Sequence, residues 1–425
     1  MGNKTAIETK TGTRDEQAGR EQNRQGQNGE GQNRQEQSRQ EQNQRGKNGE
    51  GQNRREQNKE NERPAVEVLI PVYKPGVELA ALLEKMRKQS LTPTGVHLLV
   101  TAGEDEFGKI CERYTRFWEE LGCAGAAAPT LRFTRISPEA FDHGGTRHRG
   151  AAESTAEVLL FMTQDAVPAD AHLVENLVRA LGWGEETAEN DKGRTGSRPA
   201  EKPIGSRPSE NLTGSVEKTA AGKDTVVAVA YARQLPAKDG GPIEWFTRSF
   251  NYPQESAVKT AADLSRLGIK TFFCSNVCAA YRRDIYDRLG GFCRRTIFNE
   301  DMIFAAGLIK AGYGVAYAAK ARVVHSHNYS GWQQVRRNFD LAVSQADHPE
   351  VFAGVASEGE GIRMVKKTAA YLCKSGHAYL LPKLFWQSGC KYLGYLLGKN
   401  YRRLPRGLVR AITMNQRYWH HEKEL

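Results

Sequence analysis

Five consecutive apolar residues, Val158 to Met162, run into a carboxylate at Asp165 and a proline at Pro168. A short, unbroken apolar run closed by proline predicts a strand buried on both faces, the kind found in α/β sheets covered by helices. Ligands in such open sheets gather at the C-terminal ends of strands. Asp165 is therefore a candidate for holding a metal ion or a phosphate-bearing ligand, with a turn-forming Asp ahead of proline as the plain alternative.

The flanking sequence repeats the same alternation. Val66 to Tyr73 reads as a strand interrupted near its end by Pro71, and Leu79, Leu82, Leu83 and Met86 follow at helical spacing. A second strand is predicted from Val96 to Thr101, a helix from Phe107 to Leu121 and a third strand from Leu131 to Ile136. Phe141 to Gly150 reads as a Gly-rich turn, and Ala151 to Ala156 as a short helix of small residues. Further on, Thr225 to Tyr231 and Gly314 to Val324 read as strands, with a helix starting near Asn299. Alternating strands and helices predict a mostly parallel sheet with helices on both faces.

Two stretches do not fit a core. Residues 1–63 are rich in Gln, Asn, Arg, Glu and Gly and contain an imperfect repeat, Gly26 to Gln37 against Gly46 to Gln57. With so few apolar side chains to offset ordering entropy, disorder is expected there. Residues 184–223 write Gly-Ser-Arg-Pro twice and read as a flexible insertion in a domain spanning 64–335. A mean hydropathy of −0.64 is accounted for by such segments. The formal net charge of +11 is equally local, because Arg363 to Leu425 holds 13 Lys and Arg against 2 Asp and Glu. That distribution predicts a basic docking surface in a helical region, 336–425, and argues against a nucleic-acid partner. Seven scattered cysteines fit a reducing cytosol, and their spacing matches no common zinc pattern.

Taken together, Phe141-Asp-His-Gly-Gly-Thr-Arg147, Thr163-Gln-Asp-Ala-Val-Pro168, Asn299-Glu-Asp-Met302 and His325-Ser-His-Asn328 occur in the order seen in family 2 glycosyltransferases. Over about Val66 to Trp332 the chain resembles the rhamnosyltransferase-like branch of that family. The resemblance implies a GT-A fold, a mixed and mostly parallel nucleotide-sugar transferase sheet flanked by helices, here with a C-terminal helical extension. It also implies an inverting transfer, with L-rhamnose from dTDP-rhamnose as the preferred donor and a polysaccharide or lipid-linked glycan as acceptor.

Displacing a nucleoside diphosphate calls for a divalent cation on the leaving pyrophosphate. By resemblance, Gln164-Asp165-Ala166 is the counterpart of the family's Asp-X-Asp metal motif, reduced to one carboxylate. His325 and His327 are candidates to complete the ligand set for Mn²⁺ or Mg²⁺. Surface histidines packed beside Tyr329 are the plain alternative. Asp301 matches the family's general base, with Glu300 as an orienting partner, although acids in a first helical turn after Asn299, itself a good N-cap, are also favoured for helix stability alone. Pro71, Val72, Tyr73, Thr101, His143, Gly144, Arg147, Gln164 and Asp165 are the expected nucleotide-sugar contacts, and Asn276, Gly291 and Phe292 the expected acceptor contacts. Thr101 is a departure, since the family usually carries Asp there to read the base.

Apolar residues from Leu380 to Leu396 are interleaved with Lys383 and Lys391 and followed by Arg402, Arg403, Arg406 and Arg410. No stretch there is long and apolar enough to span a bilayer. An interfacial helix on the anionic inner leaflet is expected, which makes the protein cytoplasmic and peripheral, with an ordinary packed helical subdomain as the alternative. A different reading of the whole chain is a non-catalytic sugar-nucleotide-binding scaffold of the same fold.

Overall fold

Strand β1 (Val66–Val72) lies at the heart of a nine-stranded sheet, pairing in parallel with β2 (Gly95–Thr101) on one side and β4 (Val158–Met162) on the other. This computed structural model describes residues 63–122, 128–183, 225–327, 329–353 and 358–423. The expected N-terminal repeat, apart from Arg63, and the expected insertion at 184–223 lie outside the described residues. Strand β3 (Thr130–Ile136) extends the parallel half beyond β2. On the far side of β4 come β8 (Cys278–Arg282), β6 (Val227–Leu235), β9 (Gly314–Val324) and the two-residue β5 (Val167–Pro168), with β7 (Ala257–Lys259) also on β9. Strand β8 is antiparallel to both its neighbours, while β6 and β9 are parallel to each other. The sheet is thus mixed and mostly parallel, and the C-terminal ends of β1, β2, β4, β6 and β9 share one edge.

The continuous apolar runs are explained by two cores. Alternate side chains of each strand point to opposite faces. Val68, Ile70, Val158, Leu160 and Met162 therefore enter one cluster, and Leu69, Leu159 and Phe161 enter the other. The first cluster is covered by α1 (Val77–Arg87), α2 (Glu104–Glu120) and α4 (Leu173–Ala180), whose buried residues recur at helical spacing. On the second lie α3 (His143–Ala152), α6 (Arg283–Arg288) and α7 (Glu300–Lys310).

One expectation is corrected. The Gly-rich stretch is not a turn: it is helix α3 itself, and the helix expected over Ala151 to Ala156 ends at Ala152. Asp142 caps it, accepting a hydrogen bond from the Gly145 N–H at 2.7 Å. Two glycines are poor helix formers, but a Cβ at Gly144 or Gly145 would collide with the carbonyls of Cys293 and Arg294. Close packing on that loop accounts for both. The aromatic-rich Ile243 to Tyr252 forms α5 (Pro242–Asn251), started by Pro242. Pro64–Leu425 is a single compact unit, and α8 (Gly331–Asp347) runs through the expected boundary at 335/336.

Helix α8 packs along α10 (Leu381–Lys399), with α9 (Glu358–Lys374) and α11 (Arg406–Ile412) beside them. A Cβ at Gly394 or Gly398 would strike the backbone of Val335 or Phe339, so those glycines allow the two helices to touch. Among the described residues no helix is long and apolar enough to cross a membrane.

Candidate active site

Residues at or just after the ends of β4, β6 and β9 meet in one cluster. After β4, the Asp165 carboxylate meets two imidazoles that follow β9. Its oxygens lie 3.5 Å from His325 Nε2 and 3.3 Å from His327 Nε2, and the two Nε2 atoms are 2.8 Å apart. The tautomer of His325 follows from its neighbours. Gln234 Oε1, at the end of β6, accepts from Arg248, which can only donate, and also faces His325 Nδ1 at 3.1 Å. Nδ1 must therefore carry the proton, leaving the Nε2 lone pair aimed at Asp165 and His327. Burial pushes the pKa of His325 down to about 3 despite the opposing charge of Asp165, and His327 is lowered for the same reason.

One carboxylate oxygen and two imidazole nitrogens, all within 4.8 Å of one another, suit a divalent cation. Gln164, beside Asp165, is turned away from the cluster. Its amide exchanges two hydrogen bonds with the Tyr73 backbone, each 2.9 Å, and so ties the Asp165 loop to the end of β1.

A second group of acids lies at the start of α7. Asn299 adopts a left-handed conformation, φ 61°, which Asn tolerates better than most residues. The structure corrects its expected capping role: its side chain caps nothing and donates instead to the Leu341 carbonyl on α8. Asp301 Oδ2 accepts from the Asn276 N–H at 2.9 Å and Oδ1 from its neighbour's N–H, Met302, at 2.8 Å. Glu300 Oε1 receives Asn276 Nδ2 at 3.1 Å and pairs with Arg147 at 3.2 Å. Burial and the Glu300 charge raise the Asp301 pKa to about 7. Burial pushes Glu300 up as well, but Arg147, His143 and the Asn276 amide outweigh it and hold Glu300 below its ordinary range. The two adjacent acids are thereby shifted in opposite directions.

The two groups are physically joined. His325 leans on Gln234, Gln234 Nε2 donates to Ser275 Oγ at 3.0 Å, and the next residue, Asn276, holds both acids. Gln234 at the end of β6, Arg248 in α5 and Ser275 in the loop before β8 are missed by sequence reasoning, because lone polar residues in such places carry no pattern of their own.

Other expected contacts fall elsewhere. Arg147, expected at the donor phosphates, is buried against Glu300. Phe292, expected at the acceptor, is 1% exposed and locked among Phe161, Tyr281, Tyr286 and Phe304 beneath the site. Gly291 has φ 68°, and a Cβ there would strike the Tyr286 ring. Asn276 is buried and holds the acids, as just described. His143 opens α3 between the rings of Phe141 and Phe298, and burial depresses its pKa to about 4. Thr101 ends β2 with a buried hydroxyl that lacks a partner. Pro71 and Val72 close β1, and Tyr73 is exposed beside them.

The Arg147–Glu300 pair gives a stability prediction. Arg147→Met strands a buried carboxylate and is expected to cost about 3–5 kcal/mol in urea unfolding, most of it recovered when Glu300→Gln is added. Equal destabilisation by the single and double variants would refute the pairing.

No protein-family model matches the chain. It is 32% identical over 358 residues to the O-antigen chain rhamnosyltransferase RfbN of Salmonella typhimurium, covering 83% of this chain and 96% of that protein. The match to the O-antigen chain rhamnosyltransferase WbaN of Salmonella anatum is 32% over 361 residues, covering 84% and 96%. The chain belongs to this family of O-antigen chain rhamnosyltransferases. Among solved structures it is similar to the mannosyltransferase PcManGT from Pyrobaculum calidifontis in complex with GDP-Man and Mn²⁺, with TM-score 0.42, 14% identity and coverage of 84% and 85%. The S. aureus TarS 1-349 structure gives TM-score 0.40 and 13% identity, covering 80% of this chain and 91% of that one. Likeness at that level says nothing about this chain's chemistry.

Proposed function

We propose that the protein is an inverting GT-A rhamnosyltransferase of family 2, moving L-rhamnose from dTDP-rhamnose onto a growing O-antigen-type glycan carried on a lipid. The observation that carries this reading is the pair of adjacent acids, Asp301 held by two backbone N–H groups and Glu300 by Asn276 and Arg147. Asp301, with its pKa near operating pH, takes the proton of the acceptor hydroxyl as that oxygen attacks the anomeric carbon. Glu300, kept ionised by Arg147, orients the reacting groups. Attack from the face opposite the leaving diphosphate inverts the anomeric centre. Asp165, His325 and His327 would hold a divalent cation, for which the mixed oxygen and nitrogen set favours Mn²⁺ over Mg²⁺. When bound, that cation supplies charge neutralisation on the leaving diphosphate. Gln234 and Gln164 position the cluster through His325 and the β1 end, and Pro71, Val72 and Tyr73 line the place for the base.

Purified protein incubated with dTDP-rhamnose, Mn²⁺ and membranes bearing the lipid-linked acceptor is expected to yield rhamnosylated lipid with inverted configuration. Absence of turnover across a panel of nucleoside-diphosphate sugars would instead favour the scaffold reading. The partly exposed Asp301 carboxylate, held through both oxygens beside buried Glu300, favours the enzyme over a scaffold.

A further inference from the structure

The outward face of α10 carries the largest unexplained feature of the surface. Helix α10 buries Leu384, Cys390, Gly394 and Gly398 against its neighbours. At 100° per residue the opposite side is made of Phe385, Trp386, Gly389, Tyr392, Leu393 and Leu396. Trp386 is 69% exposed and Phe385 57%, and Tyr379 just before the helix is 73%. A contiguous stripe of this size, rich in aromatics, marks an interaction surface.

Charge identifies the partner. Lys383 and Lys399 flank the stripe, and Arg403, Arg406 and Arg410 follow it. None of these five forms an ion pair among the described residues. Gly361 to His421 contains no Asp or Glu at all. An apolar, aromatic helix face with cations at its ends and in the segment that follows matches a bilayer whose headgroups are anionic, with aromatic rings at the level of the headgroups. A second copy of the chain fits poorly, because a two-fold contact through this face would oppose cation to cation. The sequence segments 1–62 and 184–224 are also too poor in apolar residues to cover it.

We propose that this face of α10, with the basic segment after it, docks the protein on an anionic membrane surface. The inference deepens the proposed function by assigning the surface that meets the membrane carrying the acceptor. Its test uses neither donor nor acceptor, so vesicle binding and sugar transfer can fail independently of each other.

The full chain is sedimented with phosphatidylcholine vesicles and with vesicles in which about 30 mol % is phosphatidylglycerol. The expected result is selective sedimentation with the anionic vesicles, weakened by added salt. The double variant Phe385→Ser, Trp386→Ser should bind those vesicles at least about tenfold more weakly, and Arg403→Glu, Arg406→Glu should abolish the preference for anionic lipid. Unchanged circular dichroism in both variants confirms that the loss is local, and the exposed positions make that outcome the expected one. Failure of the native chain to sediment, equal binding to both vesicle types, or wild-type binding by the folded variants would overturn the proposal. So would a dimer in light scattering that the Phe385, Trp386 variant abolishes, which would make the face a protein contact.

Discussion

Asp301→Asn is expected to lose about 10²–10⁴-fold in turnover while still binding donor. The substitution keeps the shape of the side chain and removes only its ability to take a proton. Its pH behaviour separates catalysis from structure. Because Asp301 has its pKa raised to about 7 from an ordinary 3.8, the native state holds a proton that the unfolded chain has lost between those values. Folding therefore takes up a proton in that window, and the carboxyl's contribution to stability declines as pH rises from about 4 to about 7. The amide of the variant has nothing to ionise, so the variant should gain in relative stability over native protein across the same range. Native kcat/KM should rise with pH through about 7, and residual activity of the variant should lack that limb. A variant that transfers sugar normally would remove Asp301 from the role of base.

Much of this arrangement was legible because its elements are written in local patterns. Apolar runs announced β1, β2 and β4, and the residue identities at their ends announced Asp165, His325 and His327, which the fold brings within 4.8 Å of one another. What was not legible depends on contacts distant in sequence. The Gly144-Gly145 pair reads as a turn by propensity, and only the approach of the Cys293 and Arg294 carbonyls explains glycines inside a helix. Phe292 follows a glycine pair as a loop residue would, yet its ring fills an aromatic core assembled from β4, β8 and α7. Arg147 is expected at the donor by sequence, and its ion pair with Glu300 is hidden because that partner is more than a hundred residues away. Nor does the pattern of the C-terminal region show that α8 holds the Asn299 side chain and the Phe298 carbonyl just before Glu300 and Asp301. Sequence periodicity reports which face of an element is buried. It does not report what lies against that face.

Asp165→Ala is expected to abolish cation-dependent donor binding, and Gln234→Leu to weaken it without touching donor or cation. The two variants act at different removes. Asp165 supplies the only carboxylate of the cluster, and without it two imidazoles remain, too few fixed ligands to hold Mn²⁺ in an open site. Calorimetric titration of Mn²⁺ into the Asp165→Ala protein should show no specific uptake, and donor affinity should be the same with and without the ion. Gln234 acts through His325. Once Leu replaces it, Nδ1 loses its acceptor, the ring is free to turn over, and Nε2 presents its lone pair to the cluster only part of the time. A loss of about 10–100-fold in Mn²⁺ affinity is expected on that account. Gln234→Glu, which keeps an acceptor oxygen facing Nδ1 and adds a charge that Arg248 can meet, should recover most of it. Recovery by Glu but not by Leu distinguishes orientation of His325 from mere packing at the end of β6. If Gln234→Leu binds Mn²⁺ as the native protein does, the hydrogen bond has no part in preparing the site. If Asp165→Ala does so, the cluster of Asp165, His325 and His327 is not where the cation binds.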